Sequence, residues 1–157
     1  MDLRDLYQDI ILDHGRRPRN FRAIAHPTHK AQGYNPLCGD RVTIYVDLDG
    51  DRIGDLSFEG RGCAISTAAA SLMTEVLKGK TLAEARELFA QFHAKVTGGE
   101  VHDLPEALAE DGERLEPLTG VKAYPARVKC ATLGWHAFEA ALKNGAGGGA
   151  AEPVKTE

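Results

Sequence analysis

The feature that most constrains the fold is an alternating run that begins at Asp40 and ends in a hairpin signal. Its apolar members fall on one side of the chain: Val42, Ile44, Val46 and Leu48. Such alternation predicts a β-strand with one buried face. The pair Asp49-Gly50 follows directly and favours the tight turn of a β-hairpin. We expect the returning strand over about 52–59, with a bulge near Gly54, where the alternation changes phase.

Helical periodicity dominates the rest of the chain. Apolar residues recur at helical spacing over four stretches, which we predict to be helices: 2–14, 64–78, 82–96 and 125–143. A short strand at about 31–34 would complete a three-stranded antiparallel meander with the hairpin. The stretch 100–124 is polar and acidic, and we expect only one brief helix there, near 105–109.

The length of 157 residues fits one domain with its own hydrophobic core. We assign residues 1–143 to this single domain. Residues 144–157 contain a run of glycine and alanine that cannot bury a core, so we expect them to form a disordered C-terminal tail.

Composition and charge argue against several classes of function. A formal net charge of -4 and a pI near 5.9 disfavour a surface that binds the phosphates of nucleic acid. No apolar run approaches membrane-spanning length, and the start of the chain lacks the pattern of a secretory signal. We therefore expect a cytoplasmic protein with no membrane or nucleic acid partner. Three widely spaced cysteines suit a reducing compartment, where thiols serve metals or chemistry.

The three cysteines and one carboxylate are the candidate site. Cys38 precedes the first hairpin strand and Cys63 follows the second, so antiparallel pairing would bring both to the same end of the sheet. Cys63 also precedes a predicted helix, and Cys130 lies in the first turns of the last one. With an oxygen of Asp40, three sulfurs would make a tetrahedral zinc site.

Spacing alone leaves other interpretations open. The chain has no Cys-x-x-Cys pair, and isolated cysteines are often inert core residues. The six histidines are scattered without ligand spacing, and we expect them at the surface or at helix caps. A hydrolase is disfavoured, because the sequence offers neither a clear nucleophile elbow nor a clearly paired histidine.

Five ordered motifs resemble the SufU branch of the NifU/IscU-like iron–sulfur cluster assembly family. They are 7–14 (YQDIILDH), 17–20 (RPRN), 35–40 (NPLCGD), 58–66 (FEGRGCAIS) and 127–131 (RVKCA). The resemblance implies an α+β domain of the SufE/NifU-like (IscU-like) type, with a small three-stranded antiparallel sheet and helices packed on one face. It also implies that Cys38, Asp40, Cys63 and Cys130 bind zinc.

Two departures from the scaffold members of this family favour its sulfur carriers. Lys129 stands where the scaffold pattern has a histidine, and the scaffold's Leu-Pro-Pro-Val-Lys motif is replaced by 122–127 (KAYPAR). The resemblance then implies a zinc-dependent sulfurtransferase of the SUF system. Cys38 would accept persulfide sulfur from a SufS-type cysteine desulfurase and pass it to a downstream SufBCD-like scaffold.

Further expectations accompany this interpretation. The alternative is a scaffold that assembles and transfers an iron–sulfur cluster, so iron or a cluster would bind transiently. A zinc-stabilised interaction module without chemistry is a third interpretation. Three thiolates and a carboxylate on a divalent cation leave a formal charge of about -2, which a nearby cation would stabilise. Arg127, one helical turn before Cys130, is a better candidate for this supporting role than Arg61 or Lys129. We expect a monomer.

Overall fold

The computed structural model describes residues 3–37, 39–144 and 154–155. These residues form four strands, β1 (His29–Asn35), β2 (Asp40–Asp49), β3 (Arg52–Arg61) and β4 (Val154–Lys155). They also form five α-helices, α1 (Leu3–Arg16), α2 (Ala64–Leu77), α3 (Leu82–Thr97), α4 (Ala109–Leu115) and α5 (Pro125–Asn144). Two 3-10 helices flank α4, at Glu106–Leu108 and Glu116–Ala123.

Strands β1, β2 and β3 form an antiparallel meander, as the hairpin signal predicted. The pairing of β1 with β2 ends on Asn35 opposite Asp40. The register between β2 and β3 shifts next to Asp47, so Gly54 is the additional residue of β3. This confirms the bulge predicted near Gly54. The short β4 pairs in parallel with the other edge of β1.

Helices α2 and α5 cover one face of the sheet. Helix α5 packs on β1 and β2, and α2 packs on β3, on α5 and on α1. The apolar side of β2 points into this interface, where Ile44 and Val46 belong to the same buried cluster as Trp135 and Phe138 of α5. The domain therefore has the predicted α+β architecture, with its core between one sheet face and the helices.

The stretch 100–124 is more regular than predicted. It forms α4 and the two 3-10 helices, and it adds apolar residues to the core: Leu108, Leu115, Leu118 and Val121. Ion pairs tie it to neighbouring segments, between Lys80 and Asp111 at 3.2 Å and between Lys95 and Glu116. The prediction of one brief helix near 105–109 was wrong in extent, because burial of these apolar side chains stabilises turns that local composition does not favour.

The other four helices begin and end within two residues of their predicted bounds.

The histidines were expected at the surface or at helix caps. This was wrong for His14, which is buried with Nδ1 at 2.7 Å from Ser71 Oγ. A disordered tail was predicted at 144–157. Of these residues the structure describes only Asn144, which ends α5, and the two residues of β4. None of the described helices is long and apolar enough to cross a membrane.

Candidate metal centre

Three of the four predicted ligands meet at one end of the sheet. Asp40 is the first residue of β2, Cys63 is the N-cap of α2, and Cys130 lies in the second turn of α5. A carboxylate oxygen and the two sulfurs all lie within 4.8 Å of one another. Within the ranges that the structure describes, no other group of three or more His, Cys, Asp or Glu side chains has this spacing. Cys38, the fourth predicted ligand, lies outside the described residues.

Antiparallel pairing brings Asp40 and Cys63 together. Arg41 pairs with Arg61, so the start of β2 and the residues that follow β3 share one end of the sheet. There Asp40 Oδ1 accepts a hydrogen bond from Cys63 N at 2.9 Å, and Asp40 Oδ2 lies 3.8 Å from Cys63 Sγ. The carboxylate is buried, with Asp40 only 1% exposed. A buried carboxylate needs donors or a cation around it, because its loss of hydration is costly.

Gly62 leaves the space for this approach of two ligands. A Cβ atom at this position would lie against Asp40 Oδ1 and 2.6 Å from Ser66 Oγ. Any larger residue would therefore displace the Asp40 carboxylate or the Ser66 hydroxyl. The glycine before Cys63 thus accommodates a contact between two chain segments, which the sequence did not reveal.

The sulfur of Cys63 occupies the N-terminus of α2. The backbone N–H of Ser66 faces Sγ at 3.4 Å, where an N-cap serine or aspartate would place its oxygen. This N–H and the helix dipole both place partial positive charge beside the sulfur. Cys63 is half-buried, whereas Cys130 is fully buried.

The sulfur of Cys130 lies where α5 reaches the end of β1. Asn35, the last residue of β1, donates its Nδ2–H to Cys130 Sγ at 3.6 Å and is itself fully buried. Sγ also lies 3.8 Å from the carbonyl oxygen of Ala126, one turn earlier in α5. Sequence analysis missed Asn35. The signal was present, since an asparagine before proline commonly shapes a turn with its side chain.

The donor atoms fit a zinc ion. Zinc takes four thiolate, imidazole or carboxylate ligands in a tetrahedron, at about 2.3 Å for sulfur and about 2.0–2.2 Å for oxygen. Two such ligand atoms lie about 3.5–3.8 Å apart. The distance of 3.8 Å between Cys63 Sγ and Asp40 Oδ2 has this spacing. Two sulfurs and one oxygen leave one position of the tetrahedron for a further ligand, and metal binding itself stays a prediction.

The segments that build this end of the domain carry a surplus of positive charge. Within three residues of Asp40, Cys63 or Cys130 in the sequence there is no carboxylate other than Asp40, but there are four basic residues: Arg41, Arg61, Arg127 and Lys129. Arg127 is exposed in the first turn of α5, and Lys129 is half-buried. Cations here would stabilise thiolates and a carboxylate held close together. The particular role predicted for Arg127 stays a prediction.

The fold and the site together define an α+β domain with cysteine and aspartate side chains gathered at one end of its sheet. The sequence profile of the NifU-like N-terminal domain family matches residues 6–147, and the chain belongs to that family. A crystal structure of similar fold is that of a proposed iron–sulfur cluster assembly scaffold protein for the SUF system from Fervidobacterium islandicum. It superposes with a TM-score of 0.79 at 35% identity, covering 90% of this chain and 99% of that chain.

Two relatives of similar length carry different functional names. The zinc-dependent sulfurtransferase SufU of Bacillus subtilis is 40% identical over 147 residues, which cover 94% of this chain and 96% of that protein. The iron–sulfur cluster assembly scaffold protein IscU of Streptococcus pyogenes is also 40% identical, over 144 residues that cover 92% of this chain and 87% of that protein. The family predicted from the motifs is confirmed. Identity alone does not separate the two functions, so the residues of the site must be considered.

Proposed function

We propose that the protein is a zinc-dependent sulfurtransferase that serves iron–sulfur cluster assembly by accepting sulfur on Cys38. The observation that carries the proposal is the convergence of Asp40, Cys63 and Cys130, because Cys38 precedes Asp40 by only two residues in the sequence. The name of the B. subtilis relative supports the same activity.

Cys38, Asp40, Cys63 and Cys130 would hold the zinc ion. When bound, zinc keeps cysteine sulfurs deprotonated at neutral pH and protects them from other reactions. Three surrounding N–H groups point partial positive charge at the donor atoms. Ser66 N faces one sulfur, the amide of Asn35 faces another, and Cys63 N faces the carboxylate. Arg127 would offset part of the remaining negative charge.

Cys38 is the proposed acceptor because of its place in the chain. It stands between β1 and β2, whereas Cys63 caps α2 and Cys130 is buried in α5. A residue in a connection between strands can move without unpacking a helix. The Cys38 thiolate would attack the outer sulfur of the desulfurase persulfide, and a new S–S bond would form as the old one breaks. The desulfurase cysteine leaves as a thiolate, so the transfer needs no oxidant or reductant.

The proposal implies two protein partners. Sulfur would come from a SufS-type, pyridoxal-phosphate-dependent cysteine desulfurase and would pass to a SufBCD-like scaffold. The chain would act as a monomer in the cytoplasm, where thiols stay reduced.

A scaffold function is the second candidate. The S. pyogenes relative is named as a scaffold, and cysteine sulfurs gathered at one point could hold an iron–sulfur cluster as cargo. Lys129 disfavours this function, because the residue before Cys130 is a cation rather than a metal ligand.

Sulfur transfer separates the candidates. With a SufS-type desulfurase and cysteine, the zinc-loaded wild type should increase the rate of cysteine turnover, and Cys38→Ala should not. A scaffold would instead accumulate a stable iron–sulfur chromophore under anaerobic reconstitution and transfer the cluster to an apo-protein. A zinc-stabilised interaction module would do neither. Cluster transfer without any increase in turnover would contradict the proposal.

A further inference from the structure

The buried side chain of Asn35 connects Leu37, which follows β1, to Cys130 of α5. Its Nδ2–H donates to Cys130 Sγ at 3.6 Å, across 95 positions of sequence. Its Oδ1 accepts from the backbone N–H of Leu37 at 3.1 Å. Because a backbone N–H can only donate, the amide oxygen must face Leu37, and the amide nitrogen is then the atom that faces the sulfur. The two contacts together define the orientation of the amide.

The two residues that flank Cys38 in the sequence, Leu37 and Gly39, both form hydrogen bonds with Asn35. Leu37 donates to the side chain, and Gly39 donates its backbone N–H to the carbonyl oxygen of Asn35 at 2.8 Å. Gly39 has a φ of 72°, a left-handed conformation that glycine adopts without strain. One buried residue therefore contacts the chain on each side of Cys38 and the sulfur of Cys130.

We propose that Asn35 is a positioning residue of the metal centre, which links Leu37 and Gly39 to Cys130 and keeps Cys130 a firmly bound ligand. This inference rests on the zinc site of the proposed function. An N–H···S hydrogen bond places partial positive charge next to a thiolate and stabilises the anion. Removing the groups that orient metal ligands typically costs about 10–100-fold in metal affinity.

A role in shaping the turn alone would need only half of this arrangement. An asparagine before a turn commonly accepts a hydrogen bond from the backbone two residues later, as Oδ1 does from Leu37. That bond acts whether or not a sulfur is present. The proposed positioning role also involves the contact between Nδ2 and the Cys130 sulfur, which alters the electron density on that sulfur. The absorption spectrum of a bound metal detects this difference, whereas a melting curve does not.

The test compares the wild type with Asn35→Leu, a change of similar size that removes both polar atoms. Thr132→Val is the matched control in α5. Thr132 is buried two residues after Cys130, and its hydroxyl donates to the carbonyl oxygen of Val128 at 2.9 Å. Each protein is loaded with Co²⁺, whose thiolate charge-transfer absorption reports on its sulfur ligands. Each is also loaded with zinc, and the release of zinc to a chelator is timed.

Asn35→Leu should move the charge-transfer band to longer wavelength, because a thiolate without its N–H donor gives up electron density more easily. It should also release zinc about tenfold faster or more. Thr132→Val should match the wild type in both measurements. Asn35→Ser, whose hydroxyl is too short to reach the sulfur, gives the same test if the leucine variant does not fold.

The outcomes for Asn35 and for the metal site are distinguishable. If the wild type binds Co²⁺ and the Asn35 variant shows an unchanged band and release rate, the role of Asn35 is overturned and the proposed function stands. If the wild type binds neither Co²⁺ nor zinc, the metal site is overturned and the role of Asn35 with it.

Discussion

Asp40 Oδ1 accepts a hydrogen bond from Cys63 N at 2.9 Å, which joins the start of β2 to the start of α2 across 23 positions of sequence. The same carboxylate presents Oδ2 to Cys63 Sγ at 3.8 Å. One oxygen thus orders the N-terminus of a helix while the other lies among the candidate metal donors. Asp40 therefore has a structural role beside its predicted ligating role, and the two can be tested separately.

Asp40→Asn and Asp40→Ala separate these roles. The asparagine keeps an oxygen for Cys63 N but is a neutral and weaker metal ligand, whereas alanine removes both functions. Zinc affinity should fall by at least about tenfold in both variants. The free energy of unfolding of the metal-free protein should fall mainly in Asp40→Ala, by about 1–3 kcal/mol. A chelator competition assay measures the affinity, and unchanged affinity in both variants would remove Asp40 from the site.

Gly62→Ala should disturb the site by steric contact alone. The added methyl group would meet Asp40 Oδ1 and Ser66 Oγ, and such overpacking costs about 1–3 kcal/mol of unfolding free energy. Gly120→Ala is the matched control, since nothing lies within 4 Å of a Cβ at that position. Denaturant unfolding and zinc affinity should both weaken in the first variant and change little in the second. Identical behaviour of the two would show that the space at Gly62 is not needed.

Removing the metal should expose the site. We expect protein purified without chelator to contain one zinc per chain, bound by Cys38, Asp40, Cys63 and Cys130. Chelation should lower the melting temperature, because binding to the folded state stabilises it, and should make all three thiols reactive. Thiol titration combined with metal analysis checks this. Three fully reactive cysteines in native protein that contains no metal would contradict the site.

Burial makes His14 a source of acid sensitivity. Desolvation first, and then the charge of Arg19, lower the pKa of this imidazole below its ordinary value of 6.5. Nε2 lies 3.5 Å from the Glu75 carboxylate, so the neutral ring carries its proton there and Nδ1 accepts from the Ser71 hydroxyl at 2.7 Å. A lowered pKa means that the stabilising contribution is complete above pH 6.5 and is lost as the pH falls through the folded-state pKa.

His14→Gln, which cannot be protonated, should therefore lose less stability than the wild type as the pH falls from 6.5 toward about 5. Urea unfolding of both proteins in the metal-free state measures this difference without a contribution from zinc release. The same slope of unfolding free energy against pH in both proteins would mean that His14 is not responsible.

Local signals explain how much of the site could be predicted from the sequence. The alternating run and Asp49-Gly50 determine the β2–β3 hairpin, and antiparallel pairing then brings Asp40 close to Cys63. The proximity of Asp40 and Cys63 therefore follows from the pairing of two adjacent strands joined by one turn. No comparable local signal leads to Cys130, because it lies on a helix that is distant in sequence.

The approach of Cys130 depends on close packing of α5 against β1. A Cβ on Gly33 of β1 would lie 3.0 Å from Leu133 Cδ1 and 3.3 Å from Ala137 Cβ, so the helix packs where the strand has no side chain. A periodic pattern of apolar residues does not predict such packing between segments that are distant in sequence. The convergence of Cys130 was therefore a hypothesis from the sequence and a resemblance, until the fold placed the residue.

Two features escaped sequence analysis for different physical reasons. In the stretch 100–124, the buried residues recur at intervals compatible with a helix, but charged residues surround them and Pro117 and Gly120 interrupt the pattern. Asn35 has the signature of a turn residue, and a turn explains its Oδ1 contact without any sulfur. Only the position of Cys130 shows that the amide has a second partner.

Mass spectrometry of the sulfur-loaded protein shows whether Cys38 receives sulfur. Zinc-loaded wild type is treated with a SufS-type desulfurase and cysteine, digested and mapped. Trypsin separates the three cysteines, since Arg41, Arg61 and Lys129 lie between them in the sequence. We expect one added sulfur atom on the peptide that contains Cys38, none on the peptides with Cys63 and Cys130, and no added sulfur in Cys38→Ala. An unmodified Cys38 in protein that nevertheless transfers an intact iron–sulfur cluster would overturn sulfur transfer to Cys38 and favour a scaffold.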